Sequence, residues 1–210
     1  MCEARRIGRE ARQISRAACQ IIGTDVLRTF FAVELGDAAR RAAAALAREL
    51  AEQAGGDAVR WVRPEAYHVT LRFLGPTPRE RIASLVAAVR GEMAALAPFE
   101  LRVGALEGLP SWRRPRVIAL DVEPREPLAQ LAAAVERGVV AAGFAPEARA
   151  FRGHLTLGRV ERPGAARALR GSCDAAPFPV DALAFFRSES GSRYTRLERI
   201  ALAGNRPDSP

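Results

Sequence analysis

The chain contains no lysine, so all 32 of its basic side chains are arginine. A phosphate-binding P-loop requires a lysine within its glycine-rich motif, and this class of nucleotide-hydrolysing enzyme is therefore excluded. The formal net charge of +8 suits a polyanionic partner. However, an arginine- and alanine-rich chain without lysine is equally typical of a GC-rich genome, so charge alone is a weak sign of nucleic-acid binding.

Cysteine is also scarce, with only Cys2, Cys19 and Cys173 in the chain. They form no CxxC pair, and their odd count argues against a disulfide framework and fits a reducing cytoplasm. No apolar run reaches the roughly 18 residues of a transmembrane helix. Residues 1–27 are rich in arginine and lack the apolar centre of a secretion signal. We therefore expect a cytoplasmic protein that does not bind a membrane.

The pattern of apolar residues predicts strands and helices without a regular β-α-β alternation, which indicates an α+β fold with antiparallel sheets. Predicted helices cover residues 37–54, 78–96, 127–142 and 165–169. Predicted strands cover residues 28–35, 59–62, 68–74, 99–106, 116–122, 151–160, 178–186 and 193–203. A glycine-proline pair at residues 75–76 predicts a turn after the third strand. We expect one domain over residues 28–203, between a flexible N-terminal extension (1–27) and a flexible C-terminal tail (204–210).

The second half of the chain repeats the first, since each half runs from a helix through a loop to a strand. The strands that begin at His68 and His154 both read His-x-Thr-Leu, and these are the only two histidines in the chain. The chain has six threonines and 20 leucines. Two matches by chance would be roughly a one-in-100,000 event. We interpret the repeat as an internal duplication.

Strand geometry gives the His-x-Thr spacing a purpose, because side chains two residues apart point to the same face. His68 and Thr70 therefore project together, as do His154 and Thr156, while the leucines face a core. If the two duplicated lobes meet, two imidazoles and two hydroxyls converge on one small volume.

This set of side chains suits the cleavage of a phosphodiester. Imidazole titrates near neutral pH, so one histidine can act as a base while the other is a charged acid. Threonine hydroxyls can donate hydrogen bonds to phosphate oxygens, and an arginine can offset the developing charge. Carboxylates and cysteines do not cluster near either histidine, and the sequence therefore does not predict a zinc site.

Arg159 is the candidate for the charge-stabilising arginine. It lies five residues after His154, which on an ideal strand points it to the opposite face. A bulge or twist at Gly158 would bring it to the same face as His154. Otherwise it is a rim arginine in contact with solvent.

These motifs resemble those of the two-histidine (2H) phosphoesterases, specifically the RNA 2′,3′-cyclic phosphodiesterases, also called 2′-5′ RNA ligase-like proteins. The resemblance covers residues 28–202. It rests on RTFFAVEL at residues 28–35, HVTLRFLG at residues 68–75, RPRV at residues 114–117, HLTLGR at residues 154–159, and Ser188, Gly191, Tyr194 and Leu197.

The resemblance implies two pseudo-symmetric lobes with antiparallel sheets around a central cleft and helices outside. It also implies that the protein opens a terminal 2′,3′-cyclic phosphate to a 2′-phosphate without a metal or organic cofactor. The proton donor would be His68 and the proton acceptor His154. By the same resemblance, the residues that hold the phosphate or line the cleft are Thr70, Thr156, Arg159 and Phe73. We expect a monomer whose partners are RNA ends or small cyclic-phosphate nucleotides.

Two alternatives remain open at the level of sequence. The same chemistry would serve a 2′-5′ oligonucleotide, a cyclic nucleotide or an ADP-ribose cyclic phosphate, with RNA ligation as a secondary reaction. The other alternative is a module that binds RNA ends without turnover.

Overall fold

The computed structural model of the protein describes residues 25–162, 164, 169–189 and 193–204. Most of the expected N-terminal extension, the short helix expected near residues 165–169, and most of the C-terminal tail lie outside these residues. No helix in the described part of the chain is long and apolar enough to cross a membrane.

The described residues form three α-helices and one antiparallel sheet of nine strands. The helices are α1 (Asp37–Ala54), α2 (Ile82–Met93) and α3 (Arg125–Ala141). The strands are β1 (Val26–Glu34), β2 (Val59–Trp61), β3 (His68–Pro78), β4 (Phe99–Leu109), β5 (Val117–Glu123), β6 (His154–Val160), β7 (Phe178–Val180), β8 (Ala182–Ser188) and β9 (Tyr194–Ala201). Their order in the sheet is β7-β4-β5-β6-β3-β1-β8-β9, with β2 paired to β6. The predicted α+β fold with antiparallel pairing is confirmed.

The sheet divides into two lobes at its centre. The first lobe consists of β3, β1, β8 and β9, and the second consists of β7, β4, β5 and β6 together with β2. The order of strands curls the sheet, because only Asp181 separates β7, at one end of the sheet, from β8 near the other end. Both ends of the sheet must therefore approach each other.

The helices cover one face of this curled sheet. Helix α1 follows a strand of the first lobe but packs against β2 and β4, whereas α3 follows β5 and packs against β3. Helices α2 and α3 pack closely at Gly138, where a Cβ atom would lie 2.7 Å from the Cα atom of Val89. The core between sheet and helices contains Phe31, Leu50, Leu85, Leu120, Leu155 and Phe185, all of them inaccessible to solvent.

Two predictions about strands were wrong. A turn was predicted at Gly75 and Pro76, but strand β3 continues through both to Pro78. The positive φ of Gly75 (72°) lies next to a register shift between β1 and β3, and it makes the strand irregular without ending it. Proline is tolerated at a strand edge, and in the described chain this part of β3 pairs only with β1. The single strand expected over residues 178–186 is split at Asp181 into β7 and β8, which pair with β4 and β1.

Candidate active site

The site is centred on the one position where the two lobes pair, between Val69 on β3 and Leu155 on β6. Both of these side chains are fully buried. In this antiparallel register, the residues on either side of the pair come next to each other on the opposite face. His68 therefore lies beside Thr156, and Thr70 lies beside His154.

The two histidines and two threonines thus form a two-by-two array on the open face of the sheet. Directly opposed residues have Cβ atoms about 5 Å apart, and diagonal residues about 7–8 Å apart. His68 and His154 occupy one diagonal of the array, and Thr70 and Thr156 occupy the other. The expected convergence of the four side chains is present in the structure.

A β-bulge brings Arg159 to the same face as this array. Between β5 and β6 the register shifts after the pair Ala119–Thr156, so that Ile118 pairs with Gly158. Leu157 is the extra residue of β6, and Leu157 and Gly158 are both buried. Because the extra residue reverses the alternation, the exposed Arg159 projects from the open face.

The first lobe contains the same bulge at the corresponding position. Between β1 and β3 the register shifts after the pair Ala32–Thr70, so that Phe31 pairs with Arg72. Phe73 therefore stands in the first lobe where Arg159 stands in the second, and its side chain is 54% exposed. The duplication thus places one aromatic and one cationic side chain at equivalent positions around the array.

Both imidazoles are held in one orientation by the backbone. The Nδ1 atom of His68 lies 2.7 Å from the carbonyl oxygen of Ala66. The Nδ1 atom of His154 lies 2.9 Å from the carbonyl oxygen of Arg152. A carbonyl oxygen only accepts hydrogen bonds, so each Nδ1 carries a hydrogen and donates it. Each Nε2 atom is therefore left to accept or donate the proton used in catalysis.

The environment of His68 favours its neutral form in the free protein. Burial lowers the pKa of His68 first, the carbonyl of Ala66 partly opposes this effect, and the nearby His154 lowers the pKa further. The interaction between the two rings agrees with their positions in the array.

Aromatic rings enclose His68 on the side of the first lobe. The ring of Phe30 lies 4.9 Å from His68 and 5.4 Å from Phe73, measured between ring centroids. Phe186 stacks on the same Phe30 ring at 5.2 Å, and Tyr194 meets it edge-on at 5.0 Å. Phe30, Phe186 and Tyr194 are not among the predicted site residues. The alternation in β1 was the available signal, because one of two adjacent phenylalanines in RTFFAVEL must face away from the core.

The segment that leads into β6 is tied to β3 by Arg72. Its guanidinium donates to Glu136 of α3 at 2.6 Å and to the carbonyl oxygen of Ala145 at 2.7 Å, and it contacts Glu147 at 3.4 Å. The Arg72 side chain is only 12% exposed. Because this segment also supplies the carbonyl of Arg152, the tether holds the group that orients His154.

A groove of about 420 Å³ opens beside Thr70 and His154. It lies between β3, α3 and the segment that precedes β6. Among the described residues, no three His, Cys, Asp or Glu side chains are grouped so that they could hold a metal ion.

The chain also matches the model of a known protein family. The model of the 2′-5′ RNA ligase superfamily matches residues 35–192. The chain belongs to this superfamily. The resemblance noted in the motifs is thereby confirmed, and the motifs at His68 and His154 fall within the matched residues of this superfamily member.

Curated relatives share about a third of their aligned residues with this superfamily member. A Bacillus subtilis protein named RNA 2′,3′-cyclic phosphodiesterase is 32% identical over 100 residues, 48% of this chain and 55% of its own length. A protein of the same name from Methanothermobacter thermautotrophicus is 31% identical over 137 residues, 65% of this chain and 73% of its own length. The alignments thus span from about half to three quarters of these relatives.

Solved structures confirm the fold. A Thermus thermophilus protein has a TM-score of 0.70 and 27% identity, over 86% of this chain and 100% of that chain. Escherichia coli LigT complexed with 3′-AMP has a TM-score of 0.70 and 24% identity, over 85% of this chain and 99% of that chain. The fold of this superfamily member is therefore that of its structural neighbours.

Proposed function

We propose that the protein hydrolyses RNA ends that carry a 2′,3′-cyclic phosphate and leaves a 2′-phosphate. The array of His68, Thr70, His154 and Thr156 supports this proposal, because the register of β3 and β6 groups two imidazoles and two hydroxyls on one face, and these groups can supply an acid, a base and phosphate donors. The names of the curated relatives support the same reaction.

In this mechanism the neutral Nε2 of His154 removes a proton from a water molecule, which attacks the phosphorus. The bond between phosphorus and the 3′ oxygen breaks, and the protonated Nε2 of His68 gives its proton to that oxygen. The 2′ oxygen keeps its bond to phosphorus, so the product is a 2′-phosphate. Each histidine then holds the proton state that the other began with, and solvent restores both.

Neutral and charged donors around the phosphate complete the site. The hydroxyls of Thr70 and Thr156 donate to the non-bridging oxygens, and the guanidinium of Arg159 offsets the charge that develops on them. Phe73 offers an exposed ring against which the terminal base stacks. The histidines, threonines and arginine supply every group in this scheme, and we propose that neither a metal nor an organic cofactor takes part.

The substrate also explains how a half-buried histidine becomes an acid. Burial lowers the pKa of His68 in the free protein. A phosphodiester anion bound in the array places a negative charge beside this ring, which favours the imidazolium. Substrate binding therefore supplies the proton donor.

The test is an assay with EDTA on a short RNA that ends in a 2′,3′-cyclic phosphate. We expect the wild type to form the 2′-phosphate, and His68→Gln and His154→Gln each to lose about 100-fold or more of kcat. Turnover only with added metal would refute the two-histidine mechanism. RNA binding without turnover in the wild type would favour the alternative of an RNA-end-binding module.

Parallel assays on a 2′-5′ oligonucleotide, a cyclic nucleotide and an ADP-ribose cyclic phosphate rank the alternative substrates.

We further propose that residues 28–203 form the catalytic domain and that it acts as a monomer in the cytoplasm. The buried free thiol of Cys173 is compatible with a reducing compartment.

A further inference from the structure

The groove beside Thr70 and His154 is larger than the array itself requires. Its volume of about 420 Å³ falls within the range of small-molecule sites, about 300–1,000 Å³. The floor is formed by small side chains of α3, including Ala129 and Ala133. Thr70 and His154 belong both to the array and to the lining of the groove. A substrate group bound in the groove would therefore lie next to the reacting phosphate.

Two exposed phenylalanines line this groove. Phe73 on β3 is 54% exposed, and Phe151, three residues before His154, is 37% exposed. In the described part of the chain the other exposed large apolar side chains are Val26 and Val140, and neither lines the groove. Exposed aromatic rings are the usual platforms for the bases of single-stranded nucleic acid.

Two exposed arginines line the same groove. Arg149 and Arg152 line the groove, and their side chains are 83% and 56% exposed. Arg149 pairs with Glu147 at 3.1 Å and Arg152 pairs with Glu107 at 2.8 Å. Such exposed ion pairs contribute little free energy, so either guanidinium can turn to a phosphate at small cost.

The groove also contains acidic side chains, and these are already engaged. Glu136 and Glu147 both contact the guanidinium of Arg72. Glu147 also accepts hydrogen bonds from Arg149, which lowers the pKa of its carboxyl. Since their charges are offset by arginine, they do not prevent the approach of a phosphate.

We propose that the groove binds the nucleotide that precedes the cyclic end, with its base on Phe151 and its phosphate near Arg149 and Arg152. This rests on the proposed function, in which Phe73 takes the terminal base. The substrate class is then a single-stranded RNA end of two or more nucleotides rather than a free cyclic mononucleotide.

The experiment compares kcat/KM for three probes, with EDTA present. They are a mononucleoside 2′,3′-cyclic phosphate, a dinucleotide with the same end, and that dinucleotide without its first base. We expect the wild type to prefer the intact dinucleotide by roughly 5- to 100-fold over the other two, the range that one stacked base provides.

Variants separate base stacking from a structural role. Phe151→Ala should reduce the preference for the intact dinucleotide over the dinucleotide without its first base to within about twofold, and Phe151→Tyr should retain it, because a phenol ring still stacks. Val140→Ala removes an exposed apolar side chain outside the groove and should leave all three values unchanged.

The outcomes distinguish this subsite from the hydrolase itself. Equal turnover of the three probes by the wild type would reject the subsite and leave the hydrolase intact. An equal loss on all three probes in Phe151→Ala would assign Phe151 a structural role and also reject the subsite. A wild type that acts on none of the probes would reject the hydrolase and the subsite together.

Discussion

At the scale of single residues, the two histidines make the same kind of backbone hydrogen bond but differ in their surroundings. Each donates from Nδ1 to a carbonyl two residues earlier in the chain. His68, however, is packed against the rings of Phe30 and Tyr194, at 4.9 Å and 5.1 Å. Burial at this position lowers the pKa of His68 and disfavours its charged form, whereas the proposed role of His68 as proton donor needs that form.

Nuclear magnetic resonance can measure the protonation of His68 directly, since the chain contains only two imidazoles. We expect His68 in the free protein to remain neutral to a pH below the ordinary value of about 6.5, because burial disfavours its charged form. Added inorganic phosphate should raise this pKa, since the anion favours the imidazolium. His154→Gln assigns the two signals. A pKa of His68 that phosphate does not move would contradict the proposed role.

The threonine hydroxyls give a second prediction at this scale. Thr70→Val and Thr156→Val keep the volume but remove a hydrogen bond to a charged phosphate, which typically contributes about 1.5–3 kcal/mol. We therefore expect kcat/KM to fall by roughly 10- to 100-fold in each variant, and serine at either position to restore most of it. Thr195→Val is the matched control, because this exposed hydroxyl bonds Glu189 outside the cleft. An equal loss in the control would indicate a general effect on folding.

At the scale of elements, the strand patterns were readable except where a strand is irregular. Alternation correctly assigned Val69 and Leu155 to the core and the two histidines to the open face. On an ideal strand it points Arg159 to the opposite face, and the register of β5 and β6 contains the bulge next to Gly158 that the sequence analysis offered as the alternative. Phe151 was not predicted as a site residue: the sequence analysis included it in the strand expected over residues 151–160, whereas in the structure it lies before β6 and lines the groove.

Arg72 gives a prediction about the segment before β6. Arg72→Ala removes hydrogen bonds to Glu136 and Ala145 and leaves the partly buried carboxylate of Glu136 without its arginine partner. We expect the free energy of unfolding to fall by about 1–3 kcal/mol and the resonance of His154 to shift or broaden. Arg102→Ala, which breaks an exposed pair with Glu123, should change stability by less than about 1 kcal/mol. An unchanged His154 signal in Arg72→Ala would show that the tether does not orient this ring.

The contact between α2 and α3 can be tested with two glycines. Gly138→Ala forces a methyl group against the backbone of Val89 and should destabilise the protein by about 1–3 kcal/mol in denaturant unfolding. Gly91 also lies in a helix, but a Cβ atom there would meet nothing within 4 Å. Gly91→Ala should therefore stabilise by about 0.5–1 kcal/mol through helix propensity. Effects of the same sign in both variants would contradict this packing.

At the scale of the whole molecule, the duplicated halves are not independent units. Strands β8 and β9 complete the first lobe although they follow every strand of the second, and Phe185 of β8 packs 4.6 Å from Phe31 of β1. The motif repeat revealed the duplication, but it did not show this exchange of strands, because the partner of a strand is set by long-range packing.

A truncated chain tests the dependence of the first lobe on its late strands. A chain that ends at Asp181 lacks β8 and β9 and exposes the fully buried Phe31. We expect it to be aggregated or unfolded by circular dichroism and size-exclusion chromatography, and adding residues 182–204 as a separate peptide should recover part of the native signal. A cooperative, monomeric thermal transition in the truncated chain alone would show that the halves fold separately.

The late position of β8 and β9 in the chain also determines when the sheet can be completed during synthesis on the ribosome. His68 and its strand emerge early, but the sheet around them stays incomplete until residue 201 has left the exit tunnel. Until then Phe30 and Phe31 lack the partners that bury them, and the nascent chain presents this aromatic edge to chaperones and to other copies of itself. Assembly of both halves of the catalytic cleft therefore waits for the end of translation of this domain, whatever the order in which its histidines were made.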